Sequence, residues 1–142
     1  MVTELLKGIY RVEVPLPKNP MKLLNSYLII GKERNLLIDT GFNRPECRKA
    51  VDDALKELHI SLDNTDLFIT HLHADHSGQV FHLKTDKNKA YAEEREAKVI
   101  NSLHDDWYWE HIYSEFRKAG LRMEKKKRFL LILGLCGARM IP

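Results

Sequence analysis

Between Asn35 and Thr70 the chain changes hydrophobic period twice, and this pattern limits it to a β-α-β crossover. Asn35–Asp39 is an apolar run that ends in an acid. Pro45 suits a first helical turn, and Val51, Ala54, Leu55 and Leu58 then fall at i, i+3, i+4 and i+7, which predicts an amphipathic helix over Pro45–Leu58. Asp66–Thr70 is apolar again and reads as the next buried strand. Upstream, Gly8–Val14 alternates loosely like an edge strand, Tyr27–Ile30 is a continuous apolar strand, and Gly31–Arg34 forms the hairpin turn to Asn35. Continuous apolar strands suggest a sheet covered on both faces. Lys89–Ala92 supplies one more short strand.

From Glu93 the period is helical. Ala97, Ile100 and Leu103 make one stripe. Asp105 or Asp106 is placed to cap a second helix with Trp109, Ile112 and Phe116 inward and Gly120 as its stop. Trp107, Tyr108 and Trp109 read as core rather than as a pocket lining. Tandem helices after a β-rich half give an α/β (α+β layered) class.

The 142 residues, 44% hydrophobic and 30% charged, describe one soluble globular domain that has no need of disulfides. Two cysteines, Cys47 and Cys136, suit a reducing cytosol. The start, MVTELLKGIY, has no apolar signal region. The run Phe129–Cys136 is far short of the ~20 residues that span a bilayer. A cytoplasmic protein with no membrane partner is expected. The net charge of +3 is mild, and the basic run within Leu121–Arg128 reads as a solvated charge cluster, so a nucleic-acid partner is not expected.

One segment carries chemistry: Thr70-His71-Leu72-His73-Ala74-Asp75-His76-Ser77-Gly78. Three imidazoles and a carboxylate occur within six residues directly after a buried strand. Imidazole and carboxylate are donors that zinc prefers. In extended geometry His71 and His73 point to one side and share one metal. Asp75 and His76 follow after a turn and reach a second metal, and Ser77-Gly78 opens a short helix.

HLHADH resembles the H-x-H-x-D-H signature of the metallo-β-lactamase-fold hydrolases, including the hydroxyacylglutathione hydrolases. LLIDTG at Leu36–Gly41 and NSYLI at Asn25–Ile29 are similar to further motifs of that family. The resemblance, over Gly8 to Gly120, implies the first half of an αββα sandwich. It implies zinc as cofactor, two ions for the complete site, with His71 and His73 on the first and Asp75 and His76 on the second. Asp75 is also the catalytic candidate, and Asp39 resembles the buried carboxylate that orients the metal loop. The function implied is a zinc-dependent hydrolase that cleaves an ester, thioester or related bond of a small-molecule substrate through a metal-activated water.

The downstream ligands of the family have no counterpart here. His59, His82, His104 and His111 are expected to be structural or exposed. Asp105 and Asp106 read as a cap before a bridging ligand, and Cys136 as a packing residue. The expectation is therefore a partial domain over residues 1–120, followed by a basic then apolar tail over 121–142, as in a truncated gene product. Two ligands per metal would leave one zinc ion or none. An uncovered sheet face would favour self-association, and a homodimer would cover it. The alternatives to an active hydrolase are a non-catalytic remnant with weak or no metal binding, and a nucleic-acid-processing relative.

Overall fold

A computed structural model describes residues 1–102 and 105–121. Leu103, His104, the basic run Arg122–Arg128 and Cys136 lie outside the described residues. Six strands, β1 (Val2–Leu6), β2 (Ile9–Pro15), β3 (Leu23–Ile29), β4 (Asn35–Ile38), β5 (Thr65–Ile69) and β6 (Ala90–Ala92), form one sheet in sequence order. The first four pair antiparallel; β4–β5 and β5–β6 are parallel. Helix α1 (Pro45–Glu57) makes the crossover from β4 to β5, as the change of period requires.

The sheet buries one face. Val12, Val14, Leu24, Leu28, Leu37 and Leu67 share it by register, and they form one core with Cys47, Val51, Ala54 and Leu55 of α1. Each fully buried Leu there contributes about 1.5–3 kcal/mol. The opposite face carries the ladder Tyr27–Ile38–Phe68–Tyr91. Phe68 is 39% and Tyr91 47% exposed, so the expectation of two covered faces fails and that of an uncovered one holds among the described residues.

One strand was not anticipated, and two local expectations are corrected. Strand β1 has no apolar alternation, and its half-exposed residues are held by pairing with β2, so no periodicity announced it. Strand β3 starts four residues before Tyr27, at Leu23, because Pro15↔Leu23 pairing extends the hairpin with β2. The short helix α2 runs Ala74–Ser77, so Asp75 and His76 sit inside its single turn and Gly78 ends it. A Cβ at Gly78 would stand 2.3 Å from the Ala74 carbonyl oxygen and 2.8 Å from the Asn43 nitrogen, which only glycine avoids.

After α3 (Val80–Leu83) and β6 come α4 (Glu94–Ser102) and α5 (Asp106–Lys118). Trp109 is buried as expected. Asp105 occupies the N-cap position of α5, but its carboxylate accepts from the Trp107 indole at 3.1 Å instead of capping the backbone. Gly120, at φ +76°, stops α5.

Candidate metal centre

The histidines gather at the carboxyl ends of the parallel strands β4 and β5, where open α/β sheets bind their ligands. β4 delivers Asp39, which is 6% exposed and adopts φ +58°, a left-handed conformation that Asp tolerates better than most residues. The buried Ser26 hydroxyl, from β3, lies 2.9 Å from the Ile38 carbonyl and 2.8 Å from that of Asp39, so it serves the two carbonyls at this turn. Next along LLIDTG, the Thr40 amide and hydroxyl both donate to the His76 carbonyl, at 2.8 and 2.7 Å. Gly41 has φ +89°, and a Cβ there would meet Val14 Cγ1 at 2.6 Å. The strand-Asp-Thr-Gly motif is thus a strap that fixes α2 against the sheet.

Asp39 is the hub. Its Oδ1 accepts from the Thr70 amide at 2.9 Å, and its Oδ2 is 2.7 Å from both the Thr70 hydroxyl and His76 Nδ1. A carboxylate only accepts, so His76 Nδ1 donates, and in the neutral tautomer the lone pair is then on Nε2. That Nε2 stands 3.6 Å from Asp75 Oδ2, which brings the second predicted pair together.

The Thr70 hydroxyl, having given its proton to Asp39, accepts from His71 Nδ1 at 3.0 Å. This leaves the lone pair of His71 on Nε2, which faces His73 Nδ1 at 2.9 Å. Two nitrogens on one tetrahedral metal, with bonds of about 2.0–2.1 Å, stand roughly 3.3 Å apart. The first pair therefore needs to open by only a few tenths of an ångström to share an ion. Burial, then the neighbouring His76 and His73, push the His71 imidazole below the ordinary histidine range and keep it neutral.

The donor set therefore fits zinc as two convergent pairs, with the carboxylate–imidazole support that such ligands use. Among the described residues no three carboxylate, imidazole or thiol side chains group as ligands of one closed site. His59 stops α1 in the left-handed conformation at φ +54°, and His111 is exposed on α5. His82 is exposed on α3, with its pKa lowered by partial burial and then by Arg48. Asp105 and Asp106 sit at the start of α5 rather than between the two pairs. Sequence reasoning gave no role to Thr70 or Ser26, although each lay inside a quoted motif. It also missed Glu96, whose carboxylate accepts from the Leu72 amide at 2.5 Å.

The family model described as the metallo-beta-lactamase superfamily matches residues 23–131, across the strap, the histidine loop and both later helices. The chain belongs to the metallo-beta-lactamase superfamily. A metallo-beta-lactamase family protein from Thermus thermophilus superposes with a TM-score of 0.73 at 26% identity, over 88% of this chain and 42% of that one. A subclass B3 metallo-beta-lactamase of Bradyrhizobium japonicum shares the fold, with a TM-score of 0.57 at 20% identity over 71% of this chain and 36% of that one. An atrochrysone carboxyl ACP thioesterase of Emericella nidulans is 38% identical over 79 residues, which are 56% of this chain and 24% of the relative. The chain thus spans less than half the length of each of these three proteins. Among the described residues, no helix is long and apolar enough to cross a membrane.

Proposed function

We propose that this chain carries the metal-binding half of a zinc-dependent hydrolase site, acting on an ester or thioester of a small-molecule substrate. The observation that carries the proposal is the paired convergence of His71 Nε2 with His73 Nδ1 and of His76 Nε2 with Asp75 Oδ2, set by Asp39. His71 and His73 would hold one zinc ion, and Asp75 and His76 a second. Zinc bound there supplies Lewis-acid polarisation of the acyl carbonyl and lowers the pKa of a water. Asp39 and Thr70 keep the His76 and His71 lone pairs aimed outward, and the Asp75 carboxylate would take a proton from the attacking water and return it to the departing thiolate or alkoxide as the acyl–sulfur or acyl–oxygen bond breaks. The thioesterase from Emericella nidulans supports the thioester within this class. Cys47, a buried free thiol, supports a cytoplasmic location.

The test is metal content per chain by elemental mass spectrometry, with oligomeric state measured on the same sample. It is followed by thiol release from an acyl N-acetylcysteamine thioester. We expect bound zinc and thiol release; His73→Ala loses thiol release and the zinc held by the first pair, and unchanged zinc affinity in that variant refutes the assignment. A second reading, weak metal binding without turnover, is favoured by the count of two donors per pair among the described residues, and zinc-free purified protein is its signature.

A further inference from the structure

We propose that Glu96 is a positioning residue that holds the His71–His73 pair in its metal-binding geometry from outside the motif. The inference deepens the zinc-site reading and rests on it. Residues Thr70–His73 belong to no strand or helix, so no regular ladder fixes the backbone between the two imidazoles. Its polar groups must find other partners. Leu72, the residue between the two histidines, has both backbone groups held by side chains. Its amide donates to Glu96 Oε2 at 2.5 Å, and its carbonyl accepts from the Ser77 hydroxyl at 2.9 Å. Ser77 also reaches the His73 carbonyl at 3.2 Å. The Leu72 side chain packs against the core, which leaves its peptide three points of attachment.

Ser77 lies on α2, inside the motif. Glu96 comes from α4, 24 residues beyond Leu72, so it ties the loop to an element outside the motif. That element is itself fixed: the Glu93 carboxylate accepts from the Arg95 and Glu96 amides at 2.8 and 3.2 Å and closes the first turn of α4. Ile100, one turn further on, is buried in the core and anchors the helix. A charge-assisted bond from a carboxylate to a backbone amide is about twice as strong as a neutral one. Supporting bonds of this kind around metal ligands set affinity over about 10–100-fold. Without Glu96 the Leu72 peptide keeps only the Ser77 bond and its side-chain packing, so its amide plane can tilt and the two imidazole nitrogens lose their common direction.

Two readouts test this: the Leu72 amide proton in zinc-free protein by NMR, and zinc affinity by competition with a chromophoric chelator. In wild type the Leu72 amide is shifted downfield and protected from exchange. Glu96→Ala abolishes both properties and weakens zinc by about 10–100-fold. Glu96→Gln, whose amide oxygen still accepts, restores most of each. Glu96→Asp keeps the charge but withdraws the carboxylate by one methylene, so it follows the Ala variant, and it decides the matter if Ala does not fold. A Leu72 amide unchanged in Ala and Asp overturns the proposal. So does a zinc affinity unchanged in those variants, or one that Gln impairs as much as Ala. Wild-type protein that binds no zinc removes the proposed function while the Leu72 amide still reads the tether, so the two failures are distinct.

Discussion

Asp39→Asn separates the shape of the hub from its charge. The substitution keeps the volume, and one oxygen still accepts from the Thr70 amide, a bond of 2.9 Å. The other position becomes an NH2 group that faces the Thr70 hydroxyl and His76 Nδ1, each 2.7 Å from the oxygen it replaces. Donor then meets donor. The local solution is for His76 to accept at Nδ1 and carry its proton on Nε2, the nitrogen that faces Asp75. The loss is one or two charge-assisted bonds partly replaced by neutral ones, about 1–3 kcal/mol of folding stability. The loss at the site is larger in kind, because the metal-facing lone pair is gone, and zinc affinity at that pair falls about 10–100-fold. Long-range proton–nitrogen correlation spectra of zinc-free protein at neutral pH read the tautomer directly, and calorimetric zinc titration reads the affinity. A His76 ring that keeps its proton on Nδ1 in the variant, with zinc binding equal to wild type, refutes the argument that Asp39 sets the ligand through its charge.

Ser26→Ala leaves two carbonyls at the left-handed turn without their buried donor, and a loss of about 1–3 kcal/mol is expected in the urea midpoint. Gly41→Ala forces a Cβ to 2.6 Å from Val14 Cγ1 at φ +89°, so the strap shifts and thermal stability and zinc binding fall together. The Arg34 guanidinium, which grips Asp66 at 2.7 and 3.0 Å, and then the Lys89 amide hold the Asp66 carboxyl below its ordinary value of 3.8. Such a group stabilises the fold above its unfolded pKa and loses that contribution as pH falls below 3.8 toward the depressed folded value. Arg34→Ala should therefore cost stability at pH 7, and the gap to wild type should shrink in acid urea titrations. The exposed ladder ending at Phe68 and Tyr91 predicts self-association, and Phe68→Lys should lower the mass seen by light scattering.

Much of the architecture was legible because period and chemistry coincide. The crossover Asn35–Thr70 announced itself by switching period, and α1 and β5 appear within a residue of their predicted bounds. HLHADH was legible because four donors in six residues have few other uses. The edge strand β1 was not, since pairing with β2 places Val2–Leu6 without an apolar face of its own. The start of α2 was missed because its one turn is set by the close approach of Gly78 to Ala74 and Asn43, a contact between segments. Asp105 was read as a helix cap by residue type, but the neighbouring indole of Trp107 took its carboxylate.

By itself the sequence determined which atoms are available: three imidazoles, Asp75, and a strand that ends in Asp39. Only the tertiary structure decided which nitrogen of the His71 and His76 rings faces the metal side, because that depends on Asp39 reaching His76 across 37 residues and Thr70 across 31. It also decided that Glu96 joins the site, although nothing in its surroundings along the chain distinguishes it from Glu94. The physical reason is that hydrogen bonds act over about 3 Å in space. A linear pattern records what a residue can donate or accept, and folding decides which group stands opposite it.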